Sequence, residues 1–178
     1  MVSNCILYLI GFAGTGKFTI AKEIVLKENF KLVDNHLINS PIFQVIESDG
    51  KSPLPEAVWD KTSIIRDAVL DTIVNISGKH LSFVFTNELI DGEKHDVDIY
   101  NKVKQVATQR GSRFLPVRLT CSEDELCKRV SSQERRLRYK EIDTDSARKK
   151  SREKSVFSPD DKNTVTIDTT LMDPSKVA

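Results

Sequence analysis

A chain of 178 residues with 27 basic and 26 acidic side chains has a formal net charge of +1, which gives no electrostatic case for nucleic-acid or membrane-surface partners. The length suits one domain, expected to span 1–178, with a core of useful size. Cys5, Cys121 and Cys127 form no CxxC pair, which argues against structural zinc and for a reducing setting. With no signal-peptide pattern and no bilayer-length apolar run, a cytoplasmic protein is expected.

The first predicted element is a strand over 6–10, apolar without alternation, as in a parallel strand covered on both faces. A glycine-rich turn leads into a helix over 19–28 with Ile20, Ile24 and Val25 on its apolar side. A short strand over 30–33 delivers Asp34-Asn35-His36, and Pro41 precedes a short helical segment that Asp49-Gly50 ends. The next helix runs from Pro55 to Gly78 on a stripe of Val58, Ile65, Val69, Ile73 and Ile76. A strand over 81–85 ends in Thr86-Asn87-Glu88, and a polar loop over 91–98 leads to a helix over 97–109 closed by Gly111. After a strand over 114–119, Ser122 and Glu125 form a capping-box pattern ahead of a helix carrying Leu126, Val130 and Leu137. Residues 134–154 are almost all polar, reading as a solvated helix or a loop. A strand over 164–167 and a helix start at Asp173-Pro174 complete the chain.

The strongest motif is G-x-x-x-x-G-K at Gly11, Gly16 and Lys17, set between strand and helix. Backbone N–H groups of Ala13, Gly14, Thr15 and Gly16 would cradle phosphates, with Lys17 adding a full charge to the helix N-terminus. The hydroxyl residue expected after the lysine is replaced by Phe18, and Thr19 follows one place later. Ligands of an open parallel sheet gather at the carboxyl ends of its strands. Those ends supply Asp34, Asn35 and His36, then Thr86 and Asn87, as substrate-binding candidates. Asp34 suits deprotonating or orienting an acceptor hydroxyl, or holding Mg²⁺ through a water. Asp34, His36 and Asp96 lack tight ligand spacing, so a dedicated metal cage is not expected. Arg66 lies beside the apolar stripe of its helix and faces either an anionic acceptor or a surface salt bridge with Asp67 or Asp71. On one continuous helix Arg129, Gln133, Arg136 and Lys140 share an edge, and Arg135 joins them only if the helix breaks.

Taken together these residues resemble the small P-loop kinases of the nucleoside-monophosphate, shikimate and gluconate kinase type, over nearly the whole chain. The resemblance implies a three-layer α/β P-loop NTPase fold: a five-stranded parallel sheet, helices on both faces and a helical lid. It places an acceptor-binding region at about 35–78 and the lid at about 131–154. It also implies ATP and Mg²⁺ as cofactors and a small-molecule acceptor as partner. Carried over, Lys17, Asp34, Arg136 and Arg135 are catalytic candidates. Gly11, Ala13, Gly14, Thr15, Gly16, Lys17, Phe18, Thr19 and Arg129 are nucleotide-binding, with Arg129 packing on adenine. The chain lacks the Gly-Gly-Gly run of shikimate kinases and the usual Asp after the third strand. Lys17-Phe18-Thr19 is similar to the Gly-Lys-Gly-Thr of adenylate kinases. The reading is an ATP-dependent phosphotransferase for a small hydroxylated or phosphorylated metabolite. The alternative is a nucleotide-binding switch with little or no transfer activity.

Overall fold

A computed structural model describes residues 3–136 and 140–178, the side chains at positions 134 and 136 excepted. Its strands are β1 (Cys5–Ile10), β2 (Phe30–Asp34), β3 (Ser82–Asn87), β4 (Arg113–Thr120) and β5 (Val165–Asp168). All pair in parallel, in the order β2-β3-β1-β4-β5. The helices are α1 (Lys17–Lys27), α2 (Asn35–Val45), α3 (Glu56–Asn75), α4 (Lys94–Arg110), α5 (Glu123–Val130), α6 (Gln133–Arg136), α7 (Thr144–Glu153) and α8 (Pro174–Val177).

The pleat of β1 explains the layers. Ile6, Tyr8 and Ile10 face one side, where they meet Leu70 and Ile73 of α3 and Ile99, Tyr100 and Val103 of α4. Cys5 and Leu9 face the other, against Ile20, Ala21 and Ile24 of α1. Each such buried apolar side chain contributes about 1.5–3 kcal/mol, which is why the strand shows no polar alternation. The chain thus has the expected three-layer α/β fold. Its strand order reverses direction beside β1, so a crevice opens at the carboxyl ends of β1 and β3.

Several expectations at the level of elements need correction. The helical segment expected after Pro41 starts earlier, at Asn35, so that α2 carries Pro41 in its interior. Proline forfeits one helical hydrogen bond there, a local cost that the buried Ile38 and Phe43 on either side of it offset. Helix α4 starts at Lys94, inside the stretch expected to be a loop. The buried face of α3 is Val58, Thr62, Arg66, Leu70 and Ile73, whereas Ile76 is exposed, so the apolar stripe is rotated toward Arg66. Ser122 does precede α5, but its side chain makes no capping bond, and Glu125 pairs with Lys128 and Arg129 instead of closing a capping box. The basic stretch is not one helix: α5 ends at Val130, and α6 and α7 follow as separate pieces. The edge expected through Arg129, Gln133, Arg136 and Lys140 therefore does not form. Leu137 and the Arg136 side chain lie outside the described residues.

Candidate active site

The turn between β1 and α1 is built as a phosphate cradle. Gly14 and Gly16 hold φ of +89° and +86°, a backbone region that side chains with a Cβ rarely adopt. Thr15 is buried and donates from Oγ1 to the Phe12 carbonyl at 2.9 Å, bracing the turn from within. Gly11 N–H donates to the Asn87 carbonyl at 3.2 Å, which ties the loop to the end of β3. Lys17 folds back so that Nζ donates to the carbonyls of Gly11 at 2.6 Å and Phe12 at 2.8 Å. Part of this side chain reaches solvent, yet the surrounding protein lowers its pKa to about 7. Burial is the main cause; Arg135 and Lys140 push the same way, while Glu88 and Asp34 oppose them.

These groups line one cavity of about 1100 Å³ at the crevice. Asp34, only 2% exposed, closes β2; its Oδ1 accepts the hydroxyl proton of Thr86 from β3, whose Oγ1 in turn accepts Asn35 N–H at 3.4 Å. Asn87 is buried beside Thr86, and both line the cavity. His36 packs edge-on to Phe43 with ring centroids 6.4 Å apart, and Phe43 meets Trp59 the same way at 6.0 Å. All three rings form an aromatic wall to the cavity.

Arg66 decides the alternative left open by the sequence. It is 4% exposed, its Nη2 donates to Asn35 Oδ1 at 3.3 Å, and its Nε has no hydrogen-bond partner among the described residues. Asp67 pairs with Lys102 and Asp71 accepts from Asn75, and among the described residues no carboxylate forms an ion pair with Arg66. Arg110, equally buried, provides the contrast: its two terminal nitrogens donate to Ser77 Oγ at 2.7 Å, to the carbonyls of Gly78 at 2.9 Å and Leu81 at 3.2 Å, and to that of Ile73. Arg110 is a clamp on the end of α3. Arg66 is a buried cation lining the cavity, with Nε unused among the described residues, and Asn39, which lines the same cavity at 3% exposed, leaves Oδ1 without a partner among them.

Cations from 129–150 close the opposite side. Arg129 donates to the carbonyls of Thr169 at 2.9 Å and Thr170 at 3.2 Å and reaches that of Gly14 at 3.4 Å, bridging the loop after β5 to the phosphate turn. The break after α5 turns Arg135 into the cavity, where Nε donates to the Glu141 carbonyl at 2.9 Å.

Sequence reasoning passed over two members of the site. Glu88, one residue past β3, accepts Ala13 N–H of the turn at 2.9 Å and Lys150 Nζ at 2.6 Å. Burial pushes this carboxyl up, but Lys150 and Lys17 outweigh it and hold the pKa below the usual range. Lys150 also reaches Glu141 at 3.0 Å, and through Glu88 it links α7 to the phosphate turn. Glu88 was visible as a strand-end carboxylate; Lys150 lay within a run of similar charges and gave no signal.

The donor set bears on the groups that the resemblance implies. The glycine turn at the N-terminus of α1, Lys17 and Arg129 fit a nucleoside triphosphate. For Mg²⁺, Phe18 offers no oxygen, and the described residues hold no cluster of three or more His, Cys, Asp or Glu side chains able to cage a metal. They fit an ion held mainly by phosphates and waters, with Asp34 as the protein's outer contact.

The sheet order, the glycine-rich turn and helices α5, α6 and α7 make up a three-layer α/β P-loop fold. Solved structures bear this out at the level of fold. A gluconokinase from Sinorhizobium meliloti 1021 matches 98% of this chain and 87% of its own with a TM-score of 0.65 at 15% identity. A presumed kinase from Chloroflexus aurantiacus J-10-fl matches 99% and 95% with a TM-score of 0.71 at 17% identity. A sugar kinase from Janibacter sp. HTCC2649 matches 98% and 90% with a TM-score of 0.63 at 13% identity. No protein-family model and no curated protein matches the chain. Among the described residues no helix is long and apolar enough to cross a membrane.

Proposed function

We propose that this chain is an ATP-dependent kinase for a small, hydroxylated, anionic metabolite. The observation that carries this reading is the convergence on one cavity of the phosphate turn, Asp34 and Arg66, which has no carboxylate partner among the described residues. The turn amides and Lys17 bind the outer phosphates of ATP, and Arg129 packs on the adenine side. Asp34, held by Thr86, orients the acceptor hydroxyl and accepts its proton as the oxygen attacks the γ-phosphorus. Arg66 with Asn35 and Asn39 grips the acceptor's carboxylate or phosphate, and the His36, Phe43 and Trp59 wall covers its apolar face. Arg135, joined by Arg136, neutralises charge on the phosphoryl group and, with the lid at 131–154, excludes water. Asp34 would hold Mg²⁺ through a water, and the ion would supply charge neutralisation at the phosphates.

Calorimetry of ATP binding and ADP production against sugar acids, shikimate, nucleosides and nucleoside monophosphates tests the reading. Lys17→Ala abolishes both; unchanged ATP binding and turnover in that variant would refute it. Phe18 supports a second reading, a nucleotide-binding switch without transfer, which predicts tight Mg²⁺-independent ATP binding and no ADP with any acceptor.

A further inference from the structure

We propose that Lys140 is a phosphate-contacting cation seated on the Phe18 ring, supplying in this chain part of the positive charge that a hydroxyl-held metal supplies where Ser or Thr follows the loop lysine. The inference rests on the ATP-binding reading above. Lys140 is 8% exposed although it is a lysine, and its Nζ lies 4.5 Å from the centroid of the Phe18 ring. An ammonium at that distance over an aromatic face is attracted by the ring's negative face, and more strongly where water is excluded. Lys22 also lies over this ring, at 5.2 Å, but it is exposed and one helical turn along α1, an ordinary contact on a helix surface.

The backbone around Lys140 is fixed from two sides. Its N–H donates to the Arg135 carbonyl at 3.2 Å, and Ile142 N–H donates to the Gly50 carbonyl at 3.2 Å. Gly50 comes so close that a Cβ there would stand 2.5 Å from the Lys140 carbonyl oxygen. Segment 140–142 is thus pressed against the loop that follows α2, and the ammonium is directed at the start of α1. Lys140, Lys17, Phe18 and Asp34 line the same cavity, and the Lys140 charge is near enough to disfavour protonation of Lys17. Both cations face the same cavity, so a polyphosphate bound there would place its charge beside the two of them. Phe18 then serves as a support: it withdraws one oxygen from any metal and holds a protein cation beside the same phosphates.

The test is calorimetry of ATP binding to the full chain in Mg²⁺ and in EDTA. Wild-type protein is expected to lose less than about tenfold in affinity when Mg²⁺ is removed. Lys140→Met loses about tenfold in EDTA, as for one charge-assisted contact, and less in Mg²⁺. Phe18→Leu reproduces that loss, Phe18→Tyr restores wild-type affinity, and the Lys140→Met/Phe18→Leu double variant loses no more than either single one. Thermal melts of each variant separate misfolding from lost contact. Lys140→Met binding Mg²⁺-free ATP as wild type does, or additive losses in the double variant, overturns the proposal. Absence of ATP binding by wild-type protein in both buffers overturns the kinase reading itself.

Discussion

Replacing Arg66 by Met should stabilise the free protein while disabling it. The guanidinium is 4% exposed, and burial pulls its pKa below the ordinary arginine range, partly offset by Tyr8 and Asp67. Its one hydrogen bond among the described residues, to Asn35 at 3.3 Å, is long and contributes at the low end of about 1.5–3 kcal/mol. Holding an ion in that position without a carboxylate partner among the described residues costs several kcal/mol, on the order that makes apolar replacements of buried charges neutral or favourable. Methionine keeps the packing volume against Leu70 and Thr62 on the same face of α3. The expected net change is therefore between zero and about +2 kcal/mol, a rise in Tm of up to roughly 4–8 °C for a chain of this size. Loss of a two-pronged contact to an acceptor anion should lower kcat/KM by about 10²–10³. Thermal denaturation without ligand and steady-state kinetics with the acceptor found by the panel measure the two effects. A fall in Tm of more than about 4 °C would show that Arg66 is a structural cation and refute this assignment.

Two further outcomes follow from the site. With the Lys17 pKa lowered from 10.5 to about 7, the free protein holds this side chain largely neutral at pH 8, whereas bound phosphate favours the ammonium. ATP binding should therefore take up close to one proton at pH 8 and far less at pH 6, read from calorimetry in buffers of different ionisation enthalpy; equal uptake at both pH values contradicts it. The sign for stability is the reverse of a salt bridge: the folded form pays for the buried ammonium below about pH 7, and that cost is relieved as pH rises toward 10.5. Trp59, the chain's single tryptophan, is 39% exposed on the cavity wall, so acceptor binding should shift its emission to the blue, and Arg66→Met should suppress that shift at the same acceptor concentration.

The parts of the fold legible in the sequence are those fixed by local physics. Cys5–Ile10 reads as a strand buried on both sides because both faces of β1 are in fact covered, and the glycine turn after it tolerates few alternatives. The strand-end rule brought Asp34, Thr86 and Asn87 to one edge without any contact being known. What stayed hidden depends on tertiary balance. The stripe on α3 could not be phased because Arg66, a charged residue, occupies its centre. Pro41 looked like a helix start because its cost is local, whereas the gain from burying Ile38 and Phe43 is not. The interruption between α5 and α6 falls at Ser131-Ser132, with no glycine or proline to mark it, so Arg135 could not be aimed. Lys140 gave no hint of burial, since its partner is the ring of a residue more than a hundred positions away.

The bond from Ala13 N–H to Glu88, itself shared with Lys150, bears on how ligands come and go. A phosphate oxygen that takes the Ala13 N–H does not fill an idle donor; it displaces Glu88 Oε2, while Lys150 keeps Glu141 as a partner. Entry is thus an exchange of one anion for another, and its net gain is smaller than the sum of the new contacts. The same resident carboxylate stands ready to reclaim the amide when product leaves. A turn with its own return partner trades tightness for turnover.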